Sequence, residues 1–211
     1  MDRIYRRIEK HTAGLSVFLA LLLALMVTGG ICGRAEASAA ARLQEHLSGE
    51  VLRFHVLANS DSEADQEVKL KVRDAVIAYL QEEMPESADA EEAARWVRSR
   101  IDRIEELSRE TAARNGSDDP VSAAVTTCWF PDRTYGDLTF PAGNYKALRI
   151  EIGEGAGHNW WCVLYPGLCF LDSTHAVMPE EGKKKLKNVL TEEEYSRINA
   201  GSDFRIGWYF W

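Results

Sequence analysis

The chain has 211 residues, 45% of them hydrophobic and 27% charged, and a formal net charge of −8 at neutral pH. An acidic balance of this size argues against nucleic acid or anionic lipid as a partner and favours a basic or neutral protein surface. Its four cysteines include no pair spaced C-x2-C, the knuckle that usually fixes two thiolates on one zinc-binding turn.

At the N-terminus Arg3, Arg6, Arg7 and Lys10 precede an apolar run from Leu15 to Val27, and Ala35-Glu36-Ala37 fits the small-x-small cleavage pattern. Residues 1–37 therefore read as an export signal, either cleaved or kept as an N-terminal membrane anchor, because Gly14 to Cys32 approaches spanning length. Ile31 stands where a small residue would precede a lipidated cysteine, which argues against a lipoprotein. The first 37 residues hold five basic and three acidic side chains, so residues 38–211 carry −10. By length they are one exported domain that meets the membrane only through the N-terminal segment. Export permits disulfides, and cleavage would leave Cys128, Cys162 and Cys169, which suits one bridge and one free thiol.

Val51 to Ala58 alternates, with Leu52, Phe54 and Val56 on one face and Arg53 and His55 on the other, as a half-buried strand does. Asn59 to Ser62 ends it, and Asp61 or Ser62, the latter in a capping box with Asp65, caps a helix whose Val68, Val72, Ala75, Val76 and Tyr79 make one apolar stripe. Pro85 closes that helix. Asp89 caps a second long helix carrying Ala94, Val97, Ile101 and Ile104, which Asn115-Gly116 ends. From Val121 the period changes to two, and a second alternating run covers Tyr145 to Ile152. Turns at Pro131-Asp132, Tyr135-Gly136-Asp137 and Pro141 to Asn144 join these runs into an antiparallel meander. Thr191 with Glu194 caps a short helix to Ile198, and the aromatic segment Phe204 to Trp211 is expected to be a final strand. The fold class is α+β: one domain, an antiparallel sheet and two long amphipathic helices behind the N-terminal segment.

Gly153 to His175 concentrates the chemistry-bearing residues, with strands Trp160 to Tyr165 and Leu168 to Leu171 around Pro166-Gly167. Cys162 with His158 or His175, oriented by Asp172, has the residue types of a thiol hydrolase, but Cys162 sits in an apolar run where burial raises a thiol's pKa. His158, Cys162, Cys169 and His175 are zinc-ligand types at unsuitable spacing. Asp61, Glu63 and Asp65 lack the glycine and later glutamate of a calcium loop, and helix capping explains them better. No catalytic, metal or cofactor site is therefore assigned. A disulfide between Cys162 and Cys169 depends on register. A two-residue loop leaves the cysteines diagonal, about 7 to 8 Å apart. A four-residue loop from Leu164 to Gly167 sets them opposite, and Pro-Gly favours it because a type II turn does not match the twist of a two-residue hairpin. Adjacent Trp160 and Trp161 must face opposite sides of their strand, one towards the core and the other available to a partner, so His158, Asn159, Trp160 and Trp161 are the partner-binding candidates. The competing reading is that both rings are merely packed.

Two blocks, LRFHVLANSDSEADQEVKLKVRDAV (Leu52 to Val76) and NYKALRIEIGEGAGHNWWCVLYPGLCFLD (Asn144 to Asp172), resemble the stage II sporulation protein R family of endospore-forming bacteria. The similarity runs more weakly from Val51 to the C-terminus. Gly167 departs from the family's second proline after Pro166 and leaves that turn's backbone freer. The resemblance implies a signalling protein made in the forespore and exported into the septal intermembrane space. There it would activate a membrane-embedded aspartic protease of the mother cell, which processes the precursor of sigma-E. An exported cell-envelope hydrolase with a Cys/His site is the alternative.

Overall fold

The structure, a computed structural model, describes residues 2–167 and 180–199, with side chains from residue 18 onward. The chain divides into two compact units, Met1–Leu43 and Gln44–Trp211. The first unit is helical and forms most of α1 (Asp2–Glu50). Phe18, Leu21, Leu23, Leu25 and Met26 on α1 are all exposed, and the helix is long and apolar enough to cross a membrane. Such a helix is compatible with a signal sequence or a membrane anchor.

The second unit takes in the end of α1 and continues with β1 (Leu52–Leu57), α2 (Glu63–Glu83), α3 (Ala90–Ser99), α4 (Ile101–Arg114), β2 (Val121–Phe130), β3 (Arg133–Tyr135), β4 (Leu138–Phe140), β5 (Gly143–Ile152), β6 (Asn159–Tyr165), α5 (Glu180–Val189) and α6 (Glu192–Asn199). The class is α+β, as expected, but the sheet is mixed, and the described residues do not form the expected antiparallel meander. Its order is β2-β5-β1-β6, with β1 parallel to β5 and the other two pairs antiparallel. Among the described residues β3 and β4 pair only with each other, around Gly136 at φ +62°. The turns were legible because they are local, whereas the placement of β1 between β5 and β6 is settled by long-range packing.

That central position buries all six residues of β1. Phe54 faces the side covered by α2, where Val68, Val72, Val76 and Leu80 form the buried stripe. Arg53 and His55, expected on a polar face, are instead 0% and 3% exposed beneath the β3–β4 ribbon. The second long helix is in fact two. At Arg100 the backbone leaves helical geometry (φ −114°, ψ 9°), so that α3 packs on β1, β2 and β5 while α4 packs on α2 and β2. Neither glycine nor proline marks this break.

The helix starts follow the sequence. Asp89 accepts from Glu92 N at 2.7 Å, Ser62 Oγ from Asp65 N at 3.1 Å, and Thr191 with Glu194 forms a reciprocal box at 2.9 and 3.2 Å. At α2 the box is not completed by Asp65, because that carboxylate is drawn to Asn59 and Ser60, and Ser62 N is satisfied by Ser60 Oγ at 3.1 Å.

Candidate functional site

Because β5 and β6 flank β1, the loop that joins them must cross the C-terminal end of β1, where Asn59 to Ser62 leave the sheet. The crossing is close. Ala156 N donates to Asn59 O at 3.1 Å, Gly157 N to Ala58 O at 3.0 Å, and Glu154 N to Asn59 Oδ1 at 3.0 Å. A Cβ at Gly157 would lie 2.1 Å from Ser60 O, and Gly153, at φ +60°, would place one 2.2 Å from Asn59 Oδ1. Glycine is required at both points by contact, and at Gly153 by backbone conformation also.

Side chains complete the clasp. Asp65 Oδ2 accepts from Ser60 Oγ at 2.5 Å and Asn59 Nδ2 at 3.1 Å, and these bonds, Ser60's foremost, hold its carboxyl below the usual range. Asp61 Oδ1 accepts from His158 N at 2.6 Å and lies 2.5 Å from His158 Nδ1, which likewise lowers the Asp61 pKa. Beneath them the buried Lys69 donates to His158 O at 2.9 Å and Gln66 Oε1 at 2.5 Å, its pKa lowered by burial and then by Arg73.

His158 and Asn159 lead from this clasp into β6. The His158 side chain is 82% exposed. Asn159 Oδ1 is buried with no hydrogen-bond partner among the described residues. Trp160 and Trp161 face opposite sides of the sheet, as their adjacency requires. Trp160 meets Phe54 edge-on at 5.5 Å with the Arg73 guanidinium 5.2 Å above its ring, whereas Trp161 stacks on His55 at 4.9 Å, abuts Phe130 at 4.8 Å and carries Arg133 at 5.8 Å. Both rings are half-buried, so neither is wholly in the core and neither stands free of its neighbours. Among the described residues the freely exposed tryptophan is Trp129 of β2, at 60%, which the sequence reading passed over.

On the ribbon side lies a second arrangement that sequence reasoning missed. The Arg53 guanidinium is enclosed by Phe130, Tyr145, Phe140 and Tyr135 at 4.4, 5.0, 5.3 and 5.7 Å, and donates to Cys162 O at 3.2 Å and Tyr135 Oη at 3.1 Å. Beside it His55 Nε2 lies 3.3 Å from Cys128 Sγ, a Cys–His contact different from those considered in the sequence. Burial lowers the His55 pKa to about 3, with Arg149 and Arg53 adding to the effect, and burial raises that of Cys128. Both groups are therefore neutral at neutral pH, and His55 Nδ1 has no orienting partner among the described residues. A nucleophilic thiolate needs the opposite conditions: a lowered thiol pKa, a base that accepts its proton, and a group that holds the base.

Of the other sequence candidates, Cys162 is buried, its Sγ 3.8 Å from Val163 O, and it is bonded to no other cysteine among the described residues. Cys169, Asp172 and His175 lie outside the described residues, as do the strand Leu168 to Leu171 and the segment Phe204 to Trp211, so the expected bridge gains no support. Among the described residues no cluster of three or more histidines, cysteines or carboxylates is placed to hold a metal ion.

An acidic α+β domain behind an apolar N-terminal helix, with two sequence blocks clasped at one end of a mixed sheet, defines the class of protein. Residues 48–175 match the family described as stage II sporulation protein R. The chain is also 32% identical over 192 residues to Stage II sporulation protein R of Bacillus subtilis (strain 168), covering 89% of this chain and 86% of that protein. It belongs to the stage II sporulation protein R family, and its role is in sporulation. No solved structure matches it.

Proposed function

We propose that the protein is an exported signal of endospore formation that works by binding and performs no chemistry of its own. It leaves the forespore through its N-terminal segment, reaches the septal intermembrane space and activates the membrane-embedded aspartic protease that processes the sigma-E precursor. The observation that carries this reading is spatial. The two blocks of family resemblance, far apart in sequence, are hydrogen-bonded to one another through Asn59, Asp61, Gly157 and His158, as a surface built for recognition would require. His158, Asn159, Trp160 and Trp161 form the rim of that surface and are its proposed contacts. The neutral Cys128–His55 pair gives the alternative, a cell-envelope hydrolase, no thiolate to work with.

The test is deletion of the gene and complementation with Cys128→Ser, Cys162→Ser and a variant whose Leu21, Leu22 and Leu23 are replaced by aspartate, with sigma-E precursor processing as readout. Processing stops in the deletion and with the leader variant, and continues in both cysteine variants as far as each remains folded. Processing unaffected by the deletion refutes the reading, and a folded cysteine variant that is inactive restores the hydrolase.

A further inference from the structure

Among the described residues β2 is an edge strand, and it lacks the usual defences of an edge. Its ten residues, VSAAVTTCWF, contain no charge and no proline, and they pair with β5 without a register shift from Val121↔Ile152 to Phe130↔Gly143. Natural edges are normally blunted by lysine, proline or bulges. The other edge, β6, is buried from Cys162 to Tyr165, whereas Ser122, Ala124, Thr126, Thr127 and Trp129 of β2 are all exposed.

Two hydrogen bonds fix which backbone groups point outward. Gly153 N donates to Pro120 O at 2.8 Å, so even-numbered residues face β5, and Ala123 N donates to Glu105 Oε2 at 3.2 Å, so odd-numbered residues face away. Glu105 satisfies Ala123. The outward N–H groups of Val125, Thr127 and Trp129 have no partner among the described residues.

We propose that this edge is a second contact with the partner, and that an extended segment of the partner adds to β2 as a fifth strand. The recognition is by main-chain hydrogen bonds to Val125 and Thr127, with Trp129 as the side-chain anchor at one end. The segment is uncharged where it runs beside β2 and basic where it passes Glu105 and the exposed Asp118, in keeping with the −10 charge of residues 38–211. The same charge opposes a second copy of this chain as the occupant.

The inference rests on the reading that the protein signals by binding a protein partner, and its test uses the full chain in the deletion strain. Thr127→Pro removes an outward N–H at a position where an edge strand tolerates proline, and Thr127→Val keeps that N–H while removing the hydroxyl. The Ala124→Lys/Thr126→Lys double variant adds edge charges without touching the β2–β5 bonds, and serves if the proline variant melts early. The expected result is a folded Thr127→Pro or double-lysine protein whose sigma-E precursor processing falls at least tenfold, with Thr127→Val at the wild-type level. Wild-type processing by both blocking variants, where the deletion abolishes it, overturns the edge contact alone. Normal processing in the deletion overturns the signalling reading and the edge contact together. Slow amide exchange at Val125 and Thr127 in the isolated full chain, or a dimer that Thr127→Pro dissolves, also overturns the proposal, because the edge is then covered by the chain itself or by its copy.

Discussion

Asp61 and His158, 97 positions apart in the sequence, share one carboxylate oxygen: Asp61 Oδ1 accepts from the His158 amide at 2.6 Å and lies 2.5 Å from its Nδ1. This contact ties the loop after β1 to the loop before β6, and its strength depends on ionised Asp61. The folded pKa of Asp61 is lowered, by the His158 side chain first. Its contribution is therefore fully present above the unfolded carboxylate value of about 3.9 and is lost as pH falls through the lower folded value. In an NMR titration the Asp61 carboxyl carbon should titrate below the ordinary aspartate range, and His158→Ala should return it towards that range.

His55 gives the protein a second acid-sensitive group, with its own pH window. Its pKa falls from 6.5 to about 3 on folding, so the unfolded chain takes up a proton that the folded protein refuses. Stability from this source is complete above pH 6.5 and is lost as pH falls towards 3. Between pH 7 and 5 the loss is about 2 kcal/mol. Urea unfolding at the two pH values should show this difference in the wild type. His55→Phe, which keeps the stacking on Trp161 and Phe130, should reduce it.

Gly157→Ala should destabilise the domain by about 2 kcal/mol or more, because the new methyl meets the backbone of Ser60, which cannot swing aside as a flexible side chain can. Gly116→Ala is the comparison: that residue is at φ +86° with nothing within 4 Å of the added carbon, so only backbone strain opposes it. Thermal unfolding should order the variants as wild type, then Gly116→Ala, then Gly157→Ala.

Trp160→Ala and Trp161→Ala should each lose about 2 kcal/mol, since each ring is half-buried against an aromatic neighbour and covered by an arginine. Trp129→Ala, whose ring is 60% exposed, should stay within about 0.5 kcal/mol of wild type. Binding effects at Trp160 and Trp161 must therefore be read at matched stability, which chemical denaturation of all three variants supplies.

Features that rest on neighbours along the chain could be read from the residues alone. Ser62, Asp89 and Thr191 start helices because a side-chain oxygen satisfies an amide two or three residues on. Alternation found β2 and β5, and the apolar spacing found α2, because both periods follow from backbone geometry alone. The place of β1 between β5 and β6 emerges on folding, since strand partners are chosen by packing across long sequence separations. That choice has three consequences. It buries Arg53 and His55, which the alternation had placed on a polar face; it draws the β5–β6 loop over Asn59 to form the clasp; and it leaves β2 as an edge among the described residues. The residues of the candidate site were visible in the sequence, but their contact was not, because a hydrogen bond between Asp61 and His158 has no local signature.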